Sequence, residues 1–180
     1  MLGVAPGMNR HLSGTTASKE SEDAMASRSN GVDCVFLSCF DQNFRFFASM
    51  LGLAGIRLHR ACTVEAADFL LLAAQATVLV LDTTFLDGSW EDALAMIGQV
   101  HPLVTPLICA DFVDRAFLAN ARERGAFDIL WRPIELERLR SSIRTAHEVS
   151  VERRLWLTER EREARQIQRP AAGICLETLK

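Results

Sequence analysis

The sequence predicts an α/β fold: a doubly wound parallel sheet of five strands, each followed by a helix. Two observations carry this. Short, nearly unbroken apolar runs recur five times between residues 32 and 131, and a stretch of helical periodicity follows each one. Strands that are apolar on both faces must be covered on both faces. Alternation of strand and helix supplies that cover and makes the strands parallel.

The first 31 residues precede this pattern. They are rich in Ser, Gly, Ala, Asn and Thr and carry no apolar period. Such a segment cannot bury enough surface to offset the entropy of ordering it, so residues 1–31 are expected to form a disordered tail. The pattern opens with a buried strand at 32–38. A helix at 42–54 follows, with Phe46, Phe47, Met50, Leu51 and Leu53 expected as its apolar face and Gly55 as its stop. Residues 56–61 read as a short strand, and 64–75 as a helix with Thr63 as its N-cap. The run 77–81 is the most apolar strand and leads straight into Asp82. A helix at 90–100, a strand at 103–109 and a helix at 113–124, stopped by Gly125, come next. A last strand at 127–131 precedes a helix expected to begin just after Pro133, a residue suited to a first helical turn.

From residue 135 to residue 169 the chain is dense in Arg and Glu. Leu136, Leu139, Ile143 and Ala146 form one apolar stripe that would seal this helix onto the domain. Val151, Leu155, Trp156 and Leu157 continue it with a weaker apolar face, and most of the charges are expected on a solvated face. Pro170 should end the helix. The expected organisation is thus a folded domain at 32–148, a charged helical extension at 149–169 and a flexible tail at 170–180. In a parallel sheet of this kind the functional crevice lies at the carboxyl ends of the strands. That directs attention to 38–41, 82–84, 110–111 and 132.

The bulk properties bound the function. The chain has 180 residues and a net charge of −3, and its pI is about 5.8. Neither suggests nucleic acid or an anionic membrane, and the arginines of the last helix alternate with acids, so no positive stripe forms. No apolar run approaches the ~20 residues of a membrane span. No basic segment followed by an apolar one opens the chain, so no signal peptide is read. The five cysteines (Cys34, Cys39, Cys62, Cys109 and Cys175) form no CxxC and no Cys/His metal spacing. They are expected to be small buried hydrophobes in a reducing cytoplasm. His11, His59, His101 and His147 are scattered, so surface or hydrogen-bonded roles are expected rather than a metal or acid–base site. No phosphate-cradling glycine loop or GxSxG occurs. Trp90 and Trp131 are expected to pack in the domain, and Trp156 to contact a partner.

Two blocks add a resemblance. Val78-Leu79-Val80-Leu81-Asp82 is followed by Asp87-Gly88, and Gly125-Ala126-Phe127-Asp128-Ile129-Leu130-Trp131-Arg132-Pro133-Ile134 lies downstream. In this order, inside five strand–helix units, they resemble the receiver domain of bacterial two-component response regulators, the CheY-like domain with a flavodoxin-like (βα)5 fold. The resemblance spans residue 32 to about residue 147.

What the resemblance implies for the site is uneven. Asp82 stands at the phosphoacceptor position. The family's two Mg²⁺-holding acids fall on Ser38 and Cys39, leaving Asp41 as the nearest carboxylate, which would reach the metal beside Asp82 only if its loop folded back. The hydroxyl position falls on Ala110, with Asp111 next to it. Arg132 replaces the lysine, and Ile129 replaces the switch aromatic. Phosphoryl transfer depends on positioning and electrostatics. Losing the metal acids and the hydroxyl should each cost roughly a few kcal/mol of transition-state stabilisation. The resemblance is therefore to a degenerate receiver, a pseudo-receiver. Asp82 keeps two open roles: phosphoacceptor, or a structural carboxylate that caps a helix or pairs with Arg132.

The leading expectation is a stand-alone interaction module rather than an enzyme. Its partner would be a sensor kinase, an output protein, or a second copy bound through the last two strand–helix units and the C-terminal helix. A second is a phosphorylatable receiver of a truncated transcriptional regulator, with an atypical Mg²⁺ site at Asp82 and Asp41. Leu157-Thr158-Glu159-Arg160-Glu161-Arg162-Glu163 resembles the opening of a helix-turn-helix output domain, with seventeen residues after it. A third is a small-ligand-binding flavodoxin-like protein. No nucleic acid, membrane or organic cofactor is expected.

Overall fold

The computed structural model describes residues 31–167. In chain order it contains β1 (Val32–Leu37), α1 (Asp41–Gly52), β2 (Ile56–Ala61), α2 (Val64–Ala73), β3 (Val78–Asp82), α3 (Trp90–Val100), β4 (Thr105–Ala110), α4 (Arg115–Glu123), β5 (Asp128–Trp131) and α5 (Leu136–Ile167). The expected tails, with His11, Pro170 and Cys175, lie outside the described residues, apart from Gly31.

The strands form one sheet in the order β2-β1-β3-β4-β5, and every pairing is parallel. Alternation within each strand divides the core in two. Val35, Leu37, Leu79, Leu81 and Ile108 face α2, α3 and α4, where they meet Ala67, Leu71, Leu94, Ile97 and Ala121. Phe36, Val78, Val80, Leu107 and Leu130 face α1 and α5, where they meet Phe47, Leu51, Leu139 and Ile143. This is the doubly wound arrangement expected from strands apolar on both faces. The strand order reverses between β1 and β3, so the crevice opens past Leu37 and Asp82.

Local chemistry sets the element ends. The Thr63 hydroxyl accepts from the Ala66 amide and caps α2 as expected. Ser89 caps α3 through Asp92, and Asp114 caps α4 through Phe117. Gly125 follows α4 at φ 92°, a left-handed turn that a side chain would strain.

Four expectations need correction. Helix α1 buries Phe47 and Leu51 but leaves Phe46, Met50 and Leu53 exposed, Leu53 at 90%. The edge-to-face contact of Phe47 with Phe36, 6.1 Å between centroids, fixes which side turns inward. The apolar stripe of α1 is wider than one face, and periodicity cannot say which part is buried. Trp131 does not pack either: it is the last residue of β5 and 63% exposed. Trp90 does pack, against Phe117 at 5.0 Å. Cys39 and Cys62 are half-buried rather than buried, because both lie past the strand ends. Finally, α5 starts at Leu136 rather than just after Pro133, because its first i→i−4 bond runs from the Leu139 amide to the Glu135 carbonyl.

Helix α5 has 32 residues, a rod about 48 Å long. Its first half is sealed by Leu139, Ile143 and Ala146. Polar bonds then fasten it to the opposite end of the sheet from the crevice. The Ser150 hydroxyl donates to the Thr77 carbonyl at 2.8 Å and shares a 2.7 Å bond with the Thr105 hydroxyl. His147 Nδ1 shares a 2.7 Å bond with the Thr77 hydroxyl. From Leu155 onward every described residue is exposed. No described helix is long and apolar enough to cross a membrane.

Candidate functional site

The site is built at the carboxyl ends of β1, β3, β4 and β5. Asp82 ends β3 and is fully buried. A carboxylate with no access to water must be met by donors from the protein. Arg132, just past β5, supplies most of them. Its Nη2 donates to Asp82 Oδ2 at 2.5 Å and its Nη1 to Oδ1 at 3.2 Å, the two-pronged pairing that a planar guanidinium favours. The Ser38 hydroxyl donates to Oδ2 at 2.9 Å. Ser38 is itself held because its oxygen accepts from the Phe40 amide two residues on.

Arg132 also reaches the loop after β4, where Nη1 donates to Asp111 Oδ1 at 3.2 Å. Burial pulls the arginine's pKa down, but the bonds and charge of Asp82, and then of Asp111, more than reverse this and leave it above its ordinary value. Beneath the site lies the buried Cys109 thiol. Burial pushes its pKa up to about 12; Arg132 opposes the rise and Asp82 adds to it. Such a thiol has no nucleophilic form near neutral pH.

Asp82, Arg132 and Ser38 are therefore brought together. Asp41 is engaged elsewhere: its Oδ1 accepts from Arg60 Nη1 at 2.7 Å and its Oδ2 pairs with Arg45 Nε at 2.8 Å. Cys39 turns its Sγ toward the Thr84 carbonyl at 3.6 Å. Ala110 closes β4 with a buried methyl, and Ile129 packs against the core on the α2–α4 side of the sheet. Neither offers a hydroxyl or a ring to the site.

The donor set does not fit a divalent cation. A hard dication needs several free oxygens at about 2.0–2.6 Å. Here both Asp82 oxygens accept from a guanidinium, the acid positions hold a hydroxyl and a thiol, and both Asp41 oxygens lie on arginines. Among the described residues no group of three or more His, Cys, Asp or Glu side chains converges.

Two features were not read from the sequence. One is the Ser38–Asp82 bond, whose only signal was a serine at the expected acid position. The other is a groove of about 690 Å³ beside α4, β5 and α5, lined in part by Leu118, Phe127, Trp131, Ile134 and Arg138. Asp82 does not line this groove. Among the described residues the histidines are satisfied locally: His59 on Asp33 at 2.8 Å, His101 on Asp68 at 2.6 Å, and His147 on Thr77.

No protein-family model matches the sequence, and no curated protein matches it. Solved structures do match in shape. A signal receiver domain of an HD domain-containing protein from Pseudomonas fluorescens Pf-5 superposes at TM-score 0.62 and 18% identity, over 68% of this chain and 99% of its own. A response regulator receiver domain protein from Clostridium thermocellum gives 0.59 at 18% identity, over 65% and 94%. A two-component response regulator from Clostridium difficile gives 0.59 at 18%, over 64% and 94%. At such identities the likeness is one of fold.

Proposed function

We propose that this chain, whose fold is that of a response-regulator receiver domain, is a cytoplasmic interaction module of two-component signalling whose Asp82 is locked in an ion pair rather than phosphorylated. The observation that carries the reading is the closure of Asp82. An attacking carboxylate oxygen needs a free lone pair and a path to the phosphoryl donor. Asp82 is fully buried, both its oxygens are engaged by Arg132, and Ser38 adds a third bond. The groups that would offset phosphoryl charge are replaced, and Asp111 adds a negative charge where a hydroxyl would help.

The module would bind a protein, either a sensor kinase or an output protein, or a second copy of itself. The face favoured for this combines α4, β5 and α5, where Phe127 and Trp131 are exposed beside the groove. Large exposed aromatics beside a groove are typical anchors of protein interfaces. On this reading the chain signals and is not an enzyme.

The test is incubation of the full chain with acetyl phosphate and Mg²⁺, followed by intact mass and gel-mobility analysis, with Asp82→Ala in parallel. Unchanged mass is expected for both. An acid-labile phosphate on wild type that Asp82→Ala lacks would instead make the chain a phosphorylatable receiver, as in a truncated transcriptional regulator. A yellow, flavin-bearing preparation would point to the small-ligand alternative.

A further inference from the structure

We infer that the exposed end of α5 is an interface for a second copy of this chain, in which two such ends lie side by side and antiparallel and each reaches the floor of its partner's sheet. This goes beyond the proposed function and uses a different surface, since neither α4 nor β5 takes part. A helix owes most of its stability to the packing of one face, yet every residue of α5 from Leu155 to Ile167 is exposed. The stripe that seals the first half of the helix runs on into this end. Arg154, Leu157, Glu161 and Ala164 follow the buried Ser150 at alternating steps of four and three, so they share its face. Beside that face the floor of the sheet holds a groove of about 410 Å³, lined in part by Leu72, Val100, Pro102 and Arg154. Leu72 and Val100 are both exposed there. Arg154 joins the helix to the floor, with Nη2 donating to the Ala76 carbonyl at 3.5 Å.

Length sets the register, and the charges fit it. Arg154 marks the floor and Ile167 is the last residue of the helix. Two antiparallel ends that overlap fully between the two floors therefore set the partner's Ile167 level with Arg154. In that register Leu157 stands level with the partner's Ala164, a large side chain against a small one. Glu159 is level with the partner's Arg162, Arg160 with the partner's Glu161, and Trp156 with the partner's Arg165, so no like charges share a level. The Arg160 guanidinium lies over the Trp156 ring at 4.7 Å, and a cation stacked by its face keeps its N–H edge for a carboxylate. A parallel pair in register sets every residue level with its own copy, arginine with arginine and glutamate with glutamate, and like charges so placed repel. The antiparallel pair also opposes the two helix dipoles. At the floor, the arriving end brings Ile167 to the groove. Arg165, in its last turn, comes to the C-terminal ends of α2 and α3, whose last turns carry no basic residue.

The experiment is size-exclusion chromatography with light scattering on the full chain over a range of concentrations. Wild type is expected at twice the 20.0 kDa of one chain, and Leu157→Glu at the mass of one. If Leu157→Glu does not stay folded, Ala164→Glu takes its place. Arg160→Glu and Glu161→Arg should each shift the mass toward the monomer, and the two together should restore the dimer. Orientation is read from introduced thiols in a glutathione redox buffer, with the linked peptides identified by mass. A mixture of Leu157→Cys and Ala164→Cys is expected to form a disulfide between the two introduced sulfurs, whereas Leu157→Cys alone should form none with its own copy. A wild type that stays monomeric at every concentration would overturn the inference. So would a dimer kept in Leu157→Glu and lost in Trp131→Ala, which would place the contact at β5, and so would a disulfide between two copies of Leu157→Cys. Each of these results leaves the reading of Asp82 as it was, and phosphorylation of Asp82 leaves this interface as it was.

Discussion

Two aspartates at opposite ends of the sheet are held in the same way, and only one of them is held tightly. At the crevice, Asp82 receives both prongs of Arg132. At the far end, Asp33 on β1 receives Arg57 Nε at 2.8 Å and Nη2 at 2.5 Å across the β1–β2 pairing, with His59 on the same carboxylate. The difference is water. The Asp82 side chain is 0% exposed and that of Arg132 is 19%, against 18% and 52% for Asp33 and Arg57. An ion pair in solvent gains little over its hydrated parts, whereas a buried charge cannot be left alone. The same fork of hydrogen bonds is thus edge decoration in one place and a structural commitment in the other.

The comparison can be broken most directly at Arg132. Arg132→Met strands the Asp82 carboxylate in the core and should cost about 3–5 kcal/mol in urea unfolding. A double-mutant cycle with Asp82→Asn should recover much of that loss, because the stranded charge is then gone. Ser38→Ala removes one hydrogen bond to a buried charge and should cost about 1.5–3 kcal/mol. Arg57→Ala, at the exposed fork, should cost under about 1 kcal/mol and lose even that in high salt. A loss at Arg57 as large as that at Arg132 would erase the distinction.

The smallest effect is one of pH. Burial alone would raise the Asp33 pKa, but the bonds and charges of Arg57 and His59 more than reverse this and hold it below the ordinary value. The aspartate's contribution is therefore fully present above its unfolded pKa of about 3.9 and fades as pH falls through the lower folded value. A denaturation series below about pH 5 should show this fall, and Asp33→Asn should flatten it.

Much of this was legible in the residues. The five apolar runs placed the strands, and β2 and α3 fall where expected: β2 runs between the stop at Gly55 and the cap at Thr63, and α3 spans the helical stretch from Trp90 to Val100. Asp82 and Arg132 were both placed, and their pairing was one of two roles left open. What periodicity could not convey was facing. Seven apolar residues between Phe44 and Leu53 wrap around α1, and only the tertiary contact of Phe47 with Phe36 selects the inner side. Trp131 reads as core from its strand, yet the strand's last residue lies beyond the cover of α4 and α5. The Asp33–Arg57–His59 cluster was not read because Asp33 lies more than twenty residues before Arg57 and His59 and meets them only through the parallel register of β1 and β2. The same holds for Ser150 and Thr77, joined across 73 positions.

The fastening of α5 by Thr77, Thr105 and Ser150 has a mechanical consequence. Past Ser150 the helix continues for seventeen residues, about 25 Å of stiff rod with its fulcrum at the floor of the sheet. A tilt of about 10° at that fulcrum would carry the tip roughly 4 Å, so a shift within the domain too small to alter its packing would arrive at Ile167 magnified to the width of a side chain. The length of the rod sets that gain, and the bonds of Ser150 and His147 to Thr77 and Thr105 set where it leaves the sheet.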